Sequence, residues 1–257
     1  MKFFKELYQY REFLKSNIKK DIRGRYKGSF LGVLWSFINP LLSVLIYAII
    51  FPFIMRVEMD HYLIYLISGV IPWTFFVLAI NNGMMSIIQN GNIIKKVYFP
   101  RIILPISAVT SGVVNFLISC GIILVFILFS GIGFSWNILF LPVIMVVQYT
   151  LLIGIVFILS SVNLYVRDIE HIFGFFINMM FYATPIIYSP SLIPEKFSFI
   201  FNLNPMKHII GAYRDIFYYQ TLPNFGALGI VLLCSIVLLF VGYMIFNKLE
   251  KGFAEEV

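Results

Sequence analysis

A short basic stretch, RGRYKG, holds the residues of this chain that are best suited to binding chemistry. Arg23, Arg25 and Lys27 alternate with Gly24 and Tyr26 directly before a long run without charges. A planar guanidinium matches phosphate oxygens with two parallel hydrogen bonds. Any anionic lipid also attracts such residues, by about 1 kcal/mol for each of them. The stretch therefore predicts binding of a phosphate group at a membrane surface, with general attraction to anionic lipid as the alternative.

Other reactive chemistry is not indicated by the sequence. No Gly-Lys pair occurs, which excludes a Walker A loop, and neither H-E-x-x-H nor G-x-S-x-G is present. His61, His171 and His208 fall in separate loops without metal-ligand spacing. Cys120 and Cys234 each lie inside an apolar run, as packing residues do, and not in the pattern of a disulfide. We expect no catalytic residue, no metal and no cofactor in this chain.

The composition indicates that most of the chain is surrounded by lipid. Hydrophobic residues make up 60% of it and charged residues 12%, against about 25% charged residues in soluble domains. The net charge of +7 comes from basic residues that flank apolar runs and do not cover a polar face. This arrangement argues against a nucleic-acid partner. We therefore predict an all-α membrane protein.

Six runs are candidates for membrane-spanning helices, each of which needs about 20 apolar residues. They are Phe30–Met55, Tyr62–Gly83, Ile102–Phe129, Trp136–Leu164, Ile172–Tyr188 and Gly226–Phe246. The fifth run is short and ends in ATPIIYSP, as a broken helix does. No run contains Asp, Glu, Lys, Arg or His, so coupling to protons or sodium inside the membrane is not indicated.

The distribution of basic residues predicts the orientation of these spans. Of the 19 Lys and Arg residues, 15 fall in the amino-terminal segment, the carboxyl tail and the loops after spans two and four. The positive-inside rule then places both termini in the cytoplasm. Apolar residues recur every three or four positions from Phe3 to Ile18, which predicts a basic amphipathic helix in the cytoplasmic interface.

The segment between spans five and six predicts a different kind of structure. Four prolines interrupt apolar patches between Ser189 and Asn224. Non-helical backbone survives at membrane depth only inside protein or against water. We predict two short re-entrant helices, Pro194–Leu203 and Pro205–Tyr219, with Asn204 capping the second.

Five stretches, in order along the chain, resemble the permease subunits of ABC-2 type polysaccharide exporters. They are RGRYKGSFLGVLWSFINPLL, YLISGVIPWTFF, NGNIIKKVYFPRIILP, LYVRDIEHI and ATPIIYSPSLIPEKFSFIFNLNPMKHIIGAYRD. The resemblance implies one ABC-2 type transmembrane domain over residues 1–257. Within it we expect a cytoplasmic basic segment at 1–29, a six-span core at 30–247 and a cytoplasmic tail at 248–257.

The resemblance also implies partners, cargo and location. The chain would be a multi-pass protein of the bacterial inner membrane and would form a homodimer with two ABC ATPase subunits. ATP and Mg²⁺ would bind to those subunits, and this chain would be no enzyme. The cargo would be an undecaprenyl-diphosphate-linked glycan, an O-antigen, capsule or teichoic-acid polymer. Its pyrophosphate would meet Arg23, Arg25, Tyr26 and Lys27 at the headgroup level of the membrane lipid.

Three further sets of residues are predicted for such a permease, of which the coupling residues follow from the resemblance. The loop from Gln89 to Arg101 would be a coupling helix on the ATPase, and the VRDIEH stretch a second contact. Alternatively, the loop from Gln89 to Arg101 serves only to set the membrane topology. The VRDIEH stretch would then be no more than the salt-bridged start of a helix. The ATPase-coupling residues would be Lys95, Lys96, Val97, Tyr98, Phe99, Arg167 and Asp168. The extracytoplasmic gate would comprise Pro185, Tyr188, Pro190, Pro194, Asn204, Pro205 and Arg214. The alternative is a surface amphipathic cap without a gating role. Sugar rings in a channel would slide on Tyr47, Trp73, Phe75 and Tyr182.

Three other functions are weighed against a polymer exporter. A drug or small-molecule efflux permease of the same class would share the spans but need no wide pore. An intramembrane enzyme would gather His, Asp, Glu or Cys near the interface, and an ion channel would carry a filter-like pore segment. The sequence has neither of these last two patterns.

Overall fold

A computed structural model describes residues 8–26, 34–35, 38–39, 41–42, 44–46, 49–50 and 60–256. The predicted first span, Phe30–Met55, therefore falls largely outside the described residues, and so does the amino-terminal part of the predicted amphipathic helix. The part of the chain that the structure describes is helical and contains no β-strand, which confirms the predicted all-α class.

Ten α-helices have bounds within the described ranges. They are α1 (Arg11–Tyr26), α2 (Tyr62–Gln89), α3 (Gly91–Ile94), α4 (Ile103–Ser130), α5 (Leu141–Tyr165), α6 (Asp168–Tyr182), α7 (Glu195–Asn202), α8 (Pro205–Phe217), α9 (Phe225–Leu249) and α10 (Phe253–Glu256). Three 3₁₀ turns lie at Trp136–Phe140, Pro190–Leu192 and Glu250–Gly252.

Four of the described helices are long and apolar enough to cross a membrane. They are α2, α4, α5 together with the turn before it, and α9 with the tail after it. These four agree with four of the six predicted spans. The fifth predicted span is different: α6 has 15 residues and ends at Tyr182, so the helix breaks at the stretch where the sequence predicts a break.

Helix α2 lies at the centre of the described fold. Tyr65, Leu66 and Ile67 on this helix have no exposed surface, and α4, α5 and α8 all pack against it. Most apolar side chains on α2 are therefore buried, although Leu78 is 42% exposed. This explains why most of the circumference of α2 is apolar.

Helices α5 and α9 approach each other closely at two glycines. A Cβ atom added to Gly242 would lie 2.6 Å from the carbonyl oxygen of Gly154. A Cβ on Gly154 would lie 2.8 Å from the backbone nitrogen of Leu239. Small residues allow such backbone contact between helices in a membrane, where packing replaces the hydrophobic driving force.

Helix α8 lies inside the fold and not on its surface. Ile209, Tyr213 and Phe217 on this helix have no exposed surface, and α2, α5 and α9 all contact it. By contrast, α7 contains no buried residue. Both helices lie within about two residues of the predicted bounds. Their re-entrant arrangement between a fifth and a sixth span stays a prediction.

Candidate functional site

The backbone between Ala183 and Tyr188 is buried and non-helical, and it forms the structural centre of the predicted gate. Thr184, Pro185, Ile186 and Ile187 are buried, although the helix before them ends at Tyr182. A buried carbonyl without a partner costs about 1–3 kcal/mol. The stability of this segment therefore depends on what bonds its carbonyl groups.

Arg214 on α8 bonds two of these carbonyls. Its Nη1 donates to the carbonyl oxygen of Pro185 and its Nη2 to that of Ile186, both at 2.5 Å. The side chain is 2% exposed, and its guanidinium carbon lies 3.7 Å from the ring centroid of Tyr65. Burial lowers the pKa of the guanidinium from its ordinary value. The fork geometry of arginine makes the paired contact possible, because a lysine presents only one nitrogen.

Two tyrosines on the first turns of α2 bond the next two carbonyls. Tyr62 donates its hydroxyl to the carbonyl oxygen of Ile187 at 2.8 Å, and Tyr65 donates to that of Tyr188 at 2.7 Å. The rings of Tyr62 and Tyr65 stack with their centroids 6.2 Å apart. The start of α2 is thus fixed to the end of the segment Ala183–Tyr188.

Asn204 completes the contacts at the other end of the segment. Its Nδ2 donates to the carbonyl oxygen of Ala183 at 3.1 Å and to Oγ1 of Thr184 at 2.8 Å. Its Oδ1 accepts from the backbone nitrogen of Met206 at 2.9 Å. Asn204 therefore is the helix cap that the sequence predicts, with Pro205 in the first turn. The same side chain also ties α8 to the segment.

Every carbonyl from residue 183 to residue 188 accepts a hydrogen bond in this arrangement. The remaining one, on Thr184, accepts from the backbone nitrogen of Ile186 at 2.7 Å. Four predicted gate residues thus hold or form the segment: Pro185, Tyr188, Asn204 and Arg214. Tyr188 donates its hydroxyl to the carbonyl oxygen of Tyr182 at 2.7 Å. Pro190 begins a 3₁₀ turn and Pro194 directly precedes α7. A gating role for these residues stays a prediction.

Gln148 on α5 links this assembly to the core, and sequence reasoning missed it. It is fully buried, donates Nε2 to the carbonyl oxygen of Pro72 at 2.9 Å, and accepts at Oε1 from the hydroxyl of Tyr213 at 2.9 Å. One amide thereby connects α2, α5 and α8. The one glutamine within this predicted span was the available signal, because a buried amide requires partners.

The predicted coupling loop separates into an exposed tip and a buried anchor. Lys95, Lys96, Val97 and Tyr98 are exposed, Tyr98 at 91%. Phe99 is only 4% exposed and packs on Phe13 of α1, with ring centroids 4.7 Å apart. The tip is therefore free to contact a partner, whereas Phe99 attaches the loop to its own chain. Docking of the tip on an ATPase stays a prediction.

The second predicted contact and the cargo-binding stretch are also at the surface. Arg167 and Asp168 are exposed at the start of α6, and Arg23 is exposed near the end of α1. Arg25 and Tyr26 belong to α1, but their side chains lie outside the described residues, as does all of Lys27. Lys20 on α1 donates to Oδ1 of Asn90 at 2.9 Å, which joins α1 to the coupling loop.

The four predicted channel aromatics have different environments. Trp73 is 6% exposed and lies 5.8 Å from Phe181, measured between ring centroids. Phe75 is 4% exposed and stacks on Phe116 at 4.9 Å. Their burial inside one chain gives no support to a channel-lining role. Tyr182 is 69% exposed, and Tyr47 lies outside the described residues.

The sequence of this chain is similar to those of known transport proteins. The sequence profile of the ABC-2 type transporter family matches residues 12–218. Two O-antigen export system permease proteins RfbA of Klebsiella pneumoniae are 42% and 40% identical to the chain over 240 residues, which covers 92% of this chain and 91% of each relative. The protein of the same name from Myxococcus xanthus is 33% identical over 259 residues and covers both chains completely.

Proposed function

The chain belongs to the ABC-2 type transporter family, and we propose that it is the permease subunit of an ATP-driven exporter of lipid-linked polysaccharide. The observation that carries this proposal is the similarity to three O-antigen export permeases over more than nine tenths of the chain. The long apolar helices support it, because they provide a membrane domain without a motif for ATP hydrolysis.

An O-antigen type polymer on an undecaprenyl-diphosphate carrier is the proposed cargo. The names of the three relatives support this choice over a teichoic acid or a drug-like molecule. The exposed Arg23, together with Arg25, Tyr26 and Lys27, would bind the pyrophosphate of the carrier at the cytoplasmic surface. The polymer would then pass between two copies of the chain.

The proposed assembly is a homodimer with two ABC ATPase subunits, which would bind ATP and Mg²⁺. Each copy would form one six-span domain of the inner membrane, with both termini in the cytoplasm. The excess of basic residues at the termini and in the loops after spans two and four supports this orientation. The exposed tip Lys95–Tyr98 and the start of α6 would contact the ATPase and follow its conformational change. The segment Ala183–Tyr188 would transmit it to an outer gate.

Deletion of the gene tests the proposed function directly. Lipid-linked glycan would be measured on each side of the inner membrane, and we expect it to accumulate on the cytoplasmic side while surface glycan disappears. Unchanged surface glycan without cytoplasmic accumulation would refute the proposal. Cargo identity is tested by chemical analysis of the accumulated polymer.

Complementation with a double variant tests the cargo-binding stretch. Arg23→Gln with Arg25→Gln should abolish export but leave the amount of inserted protein unchanged. Lys15→Gln with Lys19→Gln is the matched control, because it removes the same charge from exposed positions of α1. Equal loss of insertion in both double variants would instead indicate general attraction to anionic lipid.

A further inference from the structure

The carboxyl-terminal residues fold back onto the cytoplasmic ends of the helices. Phe253 has no exposed surface, although it follows the last long helix by only a few residues. Its ring centroid lies 5.3 Å from that of Phe246 on α9 and 6.3 Å from that of Tyr165 at the end of α5. The tail is therefore part of the packed structure and not a free end.

Hydrogen bonds connect the same tail to both cytoplasmic loops. The backbone nitrogen of Arg101 donates to Oε1 of Glu250 at 3.0 Å, and the guanidinium of Arg101 donates to the carbonyl oxygen of Glu250. Tyr165 donates its hydroxyl to the carbonyl oxygen of Leu249 at 2.9 Å. Arg101 ends the coupling loop, and Tyr165 precedes the loop that contains Arg167. One short stretch thus holds the ends of both loops.

The packing around the tail is close enough to make this connection stiff. A Cβ atom added to Gly252 would lie 2.5 Å from the hydroxyl oxygen of Tyr165. Helix α10 also contacts α3, the short helix of the coupling loop, and α5. Tightly packed elements move as units, because close-packed interiors do not deform continuously.

We propose that the segment Glu250–Phe253, here termed the tail staple, fixes the two cytoplasmic loops to α9 so that all three move as one body. Glu250 and Phe253 are then positioning residues: they contact no cargo, but they determine whether a push on the loops reaches the spans. This inference rests on the proposed function, in which the two loops are the surfaces that an ATPase contacts.

A spin-label distance measurement tests the geometry of the tail staple independently of transport. Labels on Asn92→Cys and Val166→Cys report the separation of the two loops from exposed positions that are not among the predicted ATPase-coupling residues Lys95–Phe99, Arg167 and Asp168. Cys234, which is exposed, is replaced by Ser in all samples. Labelled chain is diluted with unlabelled chain in the intact transporter, so that distances within one copy dominate.

Phe253→Ala is the principal variant, and Glu255→Ala in the same short helix is its control, because Glu255 is exposed. We expect Phe253→Ala to broaden the distance distribution and to lower export per ATP hydrolysed by about 2- to 30-fold. Glu250→Ala should act in the same direction. Glu250→Gln retains an acceptor for the Arg101 nitrogen and should restore both readouts. The control should match the parent chain.

The outcomes separate this inference from the proposed function. An unchanged distance distribution in Phe253→Ala and Glu250→Ala overturns the tail staple, and so does a broadened distribution with unchanged export per ATP. If Phe253→Ala does not insert, Glu250→Ala decides the question. If the parent chain with its ATPase exports no glycan at all, the proposed function fails. In that case the distance measurement still reports whether the tail holds the loops.

Discussion

The guanidinium of Arg214 lies over the ring of Tyr65, 3.7 Å from its centroid, while both side chains bond carbonyl groups of the same buried segment. Arg214 bonds Pro185 and Ile186, and Tyr65 bonds Tyr188. The aromatic face stabilises the buried cation, and the cation orients the ring whose hydroxyl makes the next bond. The two side chains therefore act as one clamp from two helices.

Replacing Arg214 by lysine should release one half of this clamp. An ammonium group cannot bond two successive carbonyls and also stack on Tyr65, so one buried carbonyl loses its partner. We expect Arg214→Lys to lower the free energy of unfolding by about 1–3 kcal/mol. Thermal unfolding in detergent, followed by tryptophan fluorescence, measures the loss. Lys196→Gln removes an exposed cation from the neighbouring helix α7 and should stay within about 0.5 kcal/mol. An equal effect of the two variants would contradict the clamp.

Gln148 and Tyr213 should show strong energetic coupling, because they share one buried hydrogen bond. Gln148→Leu leaves the Pro72 carbonyl and the Tyr213 hydroxyl without this partner, and we expect a loss of about 2–5 kcal/mol. Tyr213→Phe should cost about 1–3 kcal/mol, because only the Gln148 oxygen is left unpaired. In the double variant the two losses should not add. A double-mutant cycle of unfolding measurements gives the coupling energy, and additive losses would show that the bond contributes nothing.

The sequence predicts those parts of this structure that depend on local pattern. Apolar runs near Tyr62 and Ile103 locate long helices, and Asn204 before Pro205 locates a cap, because neighbouring residues suffice for both. The burial of Arg214 is not predictable in this way. Its partners are the carbonyls of Pro185 and Ile186, about 30 residues earlier in the chain. Only the tertiary fold brings these groups together with Arg214.

The tail and the coupling loop illustrate the same limit. The sequence of the tail, Glu250–Val257, is short and rich in charged residues. Nothing in this pattern indicates that Phe253 is completely buried. In the coupling loop, the sequence places Phe99 beside Tyr98 as equivalent aromatics. The structure distinguishes them because Phe13 of α1 covers Phe99 alone. Long-range packing, which a single sequence does not encode locally, decides each case.

The close contact between α5 and α9 predicts a sharp difference between two glycines of one helix. Gly242→Ala would place a methyl group 2.6 Å from the Gly154 carbonyl oxygen, whereas a Cβ at Gly229 meets nothing within 4 Å. We expect Gly242→Ala to destabilise the protein by about 1–3 kcal/mol through overpacking. Gly229→Ala should be neutral or stabilise by up to about 1 kcal/mol, since alanine favours the helix. Unfolding of the two variants side by side measures the difference, and similar values would refute the contact.

Variants of Tyr98 and Phe99 should distinguish a contact with a partner subunit from a contact within the chain. Tyr98 is 91% exposed, so Tyr98→Ala should leave the free energy of unfolding within about 0.5 kcal/mol of the parent value. If the loop tip docks on the ATPase, the same variant should reduce co-purification of the ATPase and export of glycan. Phe99→Ala opens a cavity beside Phe13, and we expect it to cost about 3–5 kcal/mol of stability.

The two measurements together decide what the loop does. Phe13→Ala should also lower the stability, but by less than Phe99→Ala because Phe13 is only half-buried. The double variant should lose less than the sum. Neither effect requires an ATPase. A loop whose only role is to set topology would tolerate Tyr98→Ala in every assay, since an exposed ring adds nothing to the positive charge that fixes orientation. Loss of ATPase binding in stable Tyr98→Ala protein, by contrast, is expected only when this ring is part of the docking surface.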